Sequence, residues 1–131
     1  MRQSRPLFAC LLLFTASCAE PLGPDDIAGN YEARVLVRNE GATSVDLLQL
    51  GVTLTLELRS DGTTRGSFRA AAIAGLEDTP FSYDLAGGYS VEGGVLRLNH
   101  QADTFMRDIE WEIAGRQIRS LGGHVTAVLQ R

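Results

Sequence analysis

The strongest constraint on the fold is a strict alternation of apolar and polar residues between positions 52 and 59. One parity holds four apolar residues, Val52, Leu54, Leu56 and Leu58, and the other parity is polar or charged. Because successive side chains of a β-strand point to opposite faces, this period of two predicts a strand with one buried and one solvated face.

The same alternation returns along most of the chain, and no apolar stripe with the 3.6-residue period of a helix accompanies it. It is found in Tyr31/Ala33/Val35/Val37, Tyr89/Val91, Leu96/Leu98, Phe105/Ile109/Trp111/Ile113 and Val125/Ala127/Leu129. Strands that recur every ~8–12 residues with glycine-bearing turns are typical of β-sandwiches and barrels. We predict an all-β domain, an antiparallel up-and-down meander of about eight strands closed into a small barrel without a major helix.

Three turns fix the predicted register. A three-residue loop at 60–62, with Gly62 left-handed, places Leu58 opposite Thr64 and keeps apolar residues on one face. A two-residue loop at 93–94 pairs Tyr89 with Leu98. The third hairpin bends at 114–115 or 115–116, and either choice sets Arg119 against an acidic residue on the wet face.

Some segments do not alternate. The connections 41–49 and 70–80 contain apolar residues, including Ile73 and Leu76, and are predicted to close over an end of the barrel or to form a helical turn. Arg107 shares the parity of Ile109, which is explained by a bulge near Asp108 or by a position at the barrel mouth.

The N-terminal residues have the pattern of a targeting segment. Residues 1–6 carry two arginines and no acid, residues 7–16 are apolar, and small residues follow, which are the three regions of a secretory signal. The apolar stretch is also far too short to span a bilayer as a helix, which needs ~20 residues. Thr15-Ala16-Ser17-Cys18 resembles the lipobox of bacterial lipoproteins, and this resemblance implies that Cys18 is acylated and becomes the new N-terminus.

Cysteine counting supports this interpretation. Cleavage before Cys18 would remove Cys10 and leave one cysteine, so that no disulfide could form within a chain, and acylation would consume the remaining thiol. The alternative is an ordinary signal peptide cleaved after Ala19, which discards both cysteines. We therefore divide the chain into a signal peptide at 1–17, a lipidated N-terminus and tether at 18–26 and a barrel domain at 27–131.

Charge limits the partners of the mature chain. Loss of residues 1–17 would leave ten arginines and 16 acidic residues, a net charge of −6, which disfavours nucleic acid and keeps the body off anionic lipid. An acyl chain at Cys18 is therefore the expected membrane contact. By resemblance to Gram-negative lipoproteins, Ala19 after the acylated cysteine implies an outer-membrane protein that faces the periplasm.

Gly29-Asn30-Tyr31 at the first strand, Ser60-Asp61-Gly62-Thr63 in a hairpin and the glycine-rich stretch 87–98 resemble the small lipocalin-like domains of bacterial lipoproteins. The resemblance covers residues 28–131 and implies a small lipocalin-like barrel. Lipocalins proper carry tryptophan where this chain has Tyr31.

No residue set indicates an enzyme. The chain has no lysine, which excludes Schiff-base chemistry, and no nucleophilic serine motif. His100 and His124, with Asp103 near the first, are weighed as a metal site, but His100 is expected to be an ordinary exposed histidine at a strand end. The acidic row Asp108, Glu110 and Glu112 is interpreted as a solvated strand face. We predict no cofactor and no metal.

The inward aromatic residues are either a filled core or the wall of a pocket, and the small size of the domain favours the filled core. A pocket at one mouth, bordered by Tyr83, Tyr89 or Arg107, is the open alternative. The candidate ligand-lining residues are Tyr31, Phe68, Tyr83, Tyr89, Phe105, Arg107 and Trp111. The leading hypothesis is a non-enzymatic, membrane-anchored binding module for a small apolar or amphipathic ligand. The alternative is a filled barrel that binds or inhibits an envelope protein through an apolar patch on 41–50 or 70–80.

Overall fold

The computed structural model of the chain describes residues 21–72 and 79–131. The predicted signal peptide, Cys18, Ile73 and Leu76 lie outside the described residues. The elements in chain order are α1 (Pro24–Ile27), β1 (Gly29–Glu40), β2 (Thr43–Asp46), β3 (Thr53–Leu58), β4 (Thr63–Ala70), β5 (Phe81–Asp84), β6 (Gly87–Glu92), β7 (Val95–His100), α2 (Phe105–Asp108), β8 (Glu110–Ala114), β9 (Gln117–Leu121) and β10 (Val125–Gln130).

All strand pairs are antiparallel, and the sheet closes because β10 pairs with β1. β2 and β3 lie in succession beside β1, and β5 and β6 lie in succession beside β4, so each of these pairs occupies one position in the ring. The result is a closed barrel of eight positions in chain order. The predicted fold class, an all-β up-and-down barrel of about eight strands without a major helix, is confirmed.

The barrel has two different ends. Helix α1, the turns 59–62, 93–94 and 115–116, and Arg131 lie at one end, which we call the closed end. The connections 41–42, 101–109 and 122–124 lie at the other, which we call the open end. Ile27 of α1 is buried and fills the closed end beneath the start of β1.

The predicted hairpin registers are confirmed. Leu58 faces Thr64, and Gly62 is left-handed with a φ of 85°. Tyr89 faces Leu98 across a turn in which both glycines have positive φ. In the third hairpin Glu112 faces Arg119, which selects the loop at 115–116. The turn residues were therefore sufficient to predict the register of these three hairpins.

The prediction that one face of β1 carries Tyr31, Ala33, Val35 and Val37 is wrong beyond Ala33. The register with β10 shifts between Ala33 and Val35, which marks a β-bulge. An extra residue in one strand reverses the facing of everything that follows. Leu36 is therefore fully buried, whereas Val35 is 38% exposed.

Two further local predictions need correction. The connection 41–49 is not irregular throughout, since it contains strand β2, which forms a hairpin with the end of β1. The strand that was predicted to begin at Phe105 begins at Glu110, because Phe105 to Asp108 form helix α2. Arg107 shares the parity of Ile109 because it lies in this helical turn, so the predicted bulge near Asp108 is not the reason. The second explanation offered for Arg107, a position at the barrel mouth, agrees with the structure.

The interior of the barrel is filled by side chains. Trp111, Leu36, Leu96, Met106, Ile118 and Leu129 are fully buried, and Tyr31 is 2% exposed. An eight-stranded barrel is about wide enough for side chains to fill, and this one places its only tryptophan there. The predicted filled core therefore describes the middle of the barrel.

Within residues 21–72 and 79–131, no helix is long and apolar enough to cross a membrane.

Candidate functional site

The candidate ligand-lining residues separate into two groups at opposite ends of the barrel. Tyr31 and Tyr89 belong to the closed end. The Tyr31 hydroxyl donates to the Ile27 carbonyl at 2.7 Å, and the Tyr89 hydroxyl donates to the carbonyl of Arg59. Burial raises the pKa of both phenols, so both hydroxyls stay protonated and serve as donors. These two residues seal the closed end and lie outside the cavity described below.

The other aromatic residues form one cluster at the open end. Phe68 lies at its centre, with its ring centroid 5.0 Å from that of Phe81, 5.5 Å from Phe105 and 6.2 Å from Tyr83. Phe105 in turn lies 6.3 Å from Trp111. Centroid separations of this size are those of interacting aromatic pairs. The cluster links the floor of the mouth, at Trp111, to its rim, at Tyr83.

A cavity of about 500 Å³ opens above this cluster. Its lining residues are Arg38, Leu47, Val52, Phe68, Thr79, Pro80, Phe81, Tyr83, Asp103, Thr104, Phe105 and Val125. Small-molecule sites have volumes of roughly 300–1,000 Å³ and mostly apolar walls with a few polar groups. The volume of the cavity falls in this range, and eight of its twelve lining residues are apolar or aromatic.

The wall of the cavity depends on a change of strand pairing. β4 pairs with β6 near its start but with β5 near its end, where Phe68 faces Tyr83. This arrangement carries Phe81 and Tyr83 to the rim, and Tyr83 is 39% exposed. Tyr83 was predicted to belong to the inward set and to border a pocket at one mouth. It stands at the rim because β5 lies beyond the part of the sheet that pairs with β7.

Helix α2 supplies the opposite side of the mouth. Met106 is the buried residue of this helix, and the Trp111 indole donates from Nε1 to the Met106 carbonyl at 3.1 Å. Trp111 is therefore the support of the helix and not part of the cavity surface. Phe105, on the same turn, lines the cavity.

The charged side chains at the rim have ionic partners. Arg38 Nε lies 2.8 Å from Glu40 Oε1, and Arg107 Nη2 lies 2.7 Å from Asp103 Oδ1. Arg107 also donates from Nη1 to the Gln101 carbonyl at 3.1 Å. Arg107 does not line the cavity, contrary to its place among the predicted lining residues; it braces the 101–108 segment.

His100 differs most from its prediction. It is 1% exposed, and its ring continues the inward row of Leu96 and Leu98. Its Nε2 lies 2.8 Å from Thr104 Oγ1, and Nδ1 has no hydrogen-bond partner among the described residues. Burial and the Arg107 charge lower the pKa of His100 against an opposing effect of Asp108. The shared parity of these three residues was the sequence signal for an inward ring.

The other residues weighed for chemistry do not come together. Asp108 ends α2, whereas Glu110 lies on β8 and pairs with Arg97 at 2.6 Å, so the predicted acidic row is interrupted. His124 is exposed in the turn before β10. No group of three histidine, cysteine or acidic side chains suited to a metal ion occurs in 21–72 and 79–131.

A second depression, of about 520 Å³, lies at the outer surface beside β1, β3 and β4. Its wall includes the charged side chains of Arg34, Glu57 and Arg65. Tyr31, one of the predicted lining residues, is the one aromatic residue of this wall, against four in the open-end cavity, so the open-end cavity is the better candidate for an apolar ligand.

The fold and this cavity together define an eight-position antiparallel β-barrel with one sealed end and one aromatic-lined open end. Comparison with protein-family models, with curated proteins and with solved structures returned no match.

Proposed function

We propose that the protein is a non-enzymatic binding module of lipocalin-like form whose open end takes up a small apolar or amphipathic molecule. The observation that carries this proposal is the cavity of about 500 Å³ that opens above Phe68, Phe81 and Phe105. Burial of apolar ligand surface against such walls contributes about 25 cal/mol per Å² before the cost of association.

The filled interior limits the size of the ligand. Trp111 and Met106 occupy the barrel directly beneath the mouth and are fully buried. A ligand therefore binds in the mouth and does not enter the barrel axis. Its outer end contacts the rim, where Arg38 and Asp103 lie, which fits a molecule with a polar end.

The anchoring proposal rests on the lipobox resemblance at Cys18. It agrees with the end of the barrel at which the chain enters the fold. The described chain reaches the barrel through α1 at the closed end, where the Arg131 guanidinium donates to the Asp26 carbonyl at 3.0 Å. An acyl anchor on Cys18 would therefore attach the closed end to the membrane and leave the mouth toward the periplasm.

Mass spectrometry tests the anchor. The full chain expressed with its own N-terminus is expected to gain acyl mass, and Cys18→Ala is expected to lack it and to appear in the soluble fraction. Wild type without acyl mass, released like the variant, would contradict the anchor and leave the binding proposal intact.

Binding is tested with the fluorescent probe N-phenyl-1-naphthylamine, whose emission increases in apolar sites. We expect saturable binding by wild type and about fivefold to tenfold weaker binding by Tyr83→Ala, which removes a rim aromatic. Val35→Ala is the control, because Val35 is equally exposed, at 38% against 39%, but lies on β1 away from the cavity. Absence of saturable binding, or equal loss in both variants, would overturn the proposal.

Protein recognition, the alternative function, would need a contiguous apolar surface. In the 41–50 connection Leu47 is buried, and Leu50 is the large apolar side chain that stands exposed, at 44%. A single exposed leucine is ordinary for a protein surface. The cavity therefore supports small-ligand binding better than this connection supports a protein partner.

A further inference from the structure

Thr104 is a buried polar residue of the cavity wall, at 5% exposure. It is the N-cap of α2, yet it forms no side-chain capping bond. A threonine at this position ordinarily accepts a hydrogen bond from the first turn of its helix. Here its Oγ1 contacts His100 Nε2 instead, so the imidazole sets the orientation of the hydroxyl.

The direction of the His100–Thr104 bond follows from the other ring nitrogen. A neutral imidazole carries its proton on one nitrogen only. If Nδ1 carried it, a buried N–H would have no acceptor in the described part of the chain, and such a donor is rarer in proteins than an acceptor without a donor. The geometry therefore favours a proton on Nε2, which donates to Thr104 Oγ1.

This direction leaves the Thr104 hydroxyl proton free. A hydroxyl that accepts one hydrogen bond still has one proton to donate. Among the described residues, Oγ1 has no hydrogen-bond partner other than His100. Within 21–72 and 79–131, the cavity wall thus contains a buried donor without an acceptor of its own.

The charges around this donor select an uncharged acceptor. His100 is neutral, Arg107 is paired with Asp103, and Arg38 is paired with Glu40. A carboxylate drawn to Thr104 would be buried without a cationic partner, which is costly. A ketone, ester or amide oxygen accepts a hydrogen bond without that cost.

We propose that the open-end cavity selects small apolar molecules that carry an uncharged carbonyl group, and that the Thr104 hydroxyl, positioned by His100, donates a hydrogen bond to the carbonyl oxygen. This inference rests on the proposed function and names its ligand class. Thr104 contacts the ligand, and His100 acts through Thr104 as a positioning residue.

Two ligands of the same shape isolate the hydrogen bond. 2-Acetylnaphthalene carries C=O where 2-isopropenylnaphthalene carries C=CH₂, and the affinity of the purified full chain for each is measured by equilibrium dialysis. One hydrogen bond is worth about fivefold in affinity. We expect Thr104→Val to lower the ketone-to-alkene affinity ratio about fivefold and Thr104→Ser to keep it near the wild-type value.

The positioning role of His100 is tested by a pair of substitutions. His100→Gln keeps an N–H near the position of Nε2, and His100→Leu removes it. We expect the ketone-to-alkene ratio to fall about fivefold in His100→Leu and to be largely restored in His100→Gln, with alkene affinity similar in both. Thr53→Val, on the exposed face of β3, is the control and should leave both affinities unchanged.

The outcomes separate the two proposals. If both ligands bind and the ratio is unchanged in Thr104→Val, the carbonyl inference is wrong while mouth binding stands. If neither ligand binds wild type, mouth binding and the inference that rests on it both fail. Thermal melting of each variant establishes that it is folded, and a change of ratio in folded protein cannot arise from partial unfolding, which weakens both ligands equally.

Discussion

Burial of a titratable ring gives His100 an influence on stability that an exposed histidine lacks. The groups whose charges act on it are Arg107, which disfavours the imidazolium, and Asp108, which favours it. From β6 it is packed against Gly87, which carries no charge. Burial and Arg107 together outweigh Asp108, so the pKa of His100 in the folded protein lies below its ordinary value of 6.5.

Stability should therefore fall on mild acidification. As the pH drops below about 6.5, the unfolded chain takes up a proton at His100 while the folded protein does not, so the free energy of unfolding decreases until the folded pKa is reached. Urea unfolding at a series of pH values between 7 and 5 measures this loss.

His100→Gln is the matched variant, because it keeps a hydrogen-bond donor for Thr104 and does not titrate. Its free energy of unfolding should vary less with pH over the same interval. Parallel pH profiles for wild type and His100→Gln would show that the ring is not held neutral by its surroundings.

At the scale of the elements, local chemistry explains what could be predicted from the sequence. The loops at 60–62 and 93–94 were predictable because glycines with positive φ and the need to keep apolar faces together leave one register. The bulge after Ala33 carries no such marker, since Arg34 is an ordinary strand residue and only the pairing with β10 reveals it.

Helix α2 was missed for a different reason. Four residues are too few to display a helical period, and Phe105 happens to share the parity of Trp111. The carbonyl of Met106 that receives the Trp111 N–H, and the turn of Thr104 toward His100, depend on contacts between β7, α2 and β8 that spacing cannot show. The aromatic composition of the site was predictable, whereas its polar group was not.

The close approach of β6 to β7 depends on one glycine, Gly87, which faces His100. A Cβ at Gly87 would lie 2.4 Å from the His100 Cα and 2.6 Å from the Asn99 carbonyl oxygen, and both are backbone atoms that cannot yield without moving the strand. We expect Gly87→Ala to lower the free energy of unfolding by about 1–3 kcal/mol or more, as overpacking does. Chemical denaturation measures the loss.

Gly88→Ala provides the comparison within the same strand. A Cβ at Gly88 would approach nothing more closely than the Gly62 carbonyl oxygen at 3.5 Å, an ordinary contact. Its substitution should change stability by roughly 0.5 kcal/mol or less, as surface substitutions usually do. Equal effects at Gly87 and Gly88 would contradict the close approach of β6 to β7.

At the scale of the whole molecule, closure of the sheet was predictable but the difference between the two ends was not. Alternation shows which side chains face inward, and it is identical for Tyr31 at the closed end and Phe68 at the open end. The position of a residue along the barrel axis depends on how the strands are staggered on closure. Seven candidate residues therefore appeared as one lining set. Two of them seal the closed end and three line the cavity, whereas Trp111 and Arg107 support α2 and the segment before it.

The seal at the closed end joins distant parts of the chain through Arg131. Its guanidinium donates to the carbonyls of Ala28 at 2.8 Å and Asp26 at 3.0 Å, and its Cζ lies 6.0 Å from the centre of the Tyr31 ring. These contacts attach α1 and the start of β1 to the chain that follows β10. Since closure requires β1 to meet β10, loss of this connection affects the whole barrel.

Arg131→Ala is expected to lower the free energy of unfolding by about 2–3 kcal/mol, because hydrogen bonds from a charged donor contribute about 1.5–3 kcal/mol and these are partly exposed. Arg131→Lys should recover only part of the loss, since an ammonium lacks the planar fork that reaches two carbonyls. Arg119→Ala, an exposed arginine of β9, should cost about 0.5 kcal/mol or less. Urea unfolding of the three variants measures these differences, and equal stability of Arg131→Ala and Arg119→Ala would show that the barrel closes without this connection.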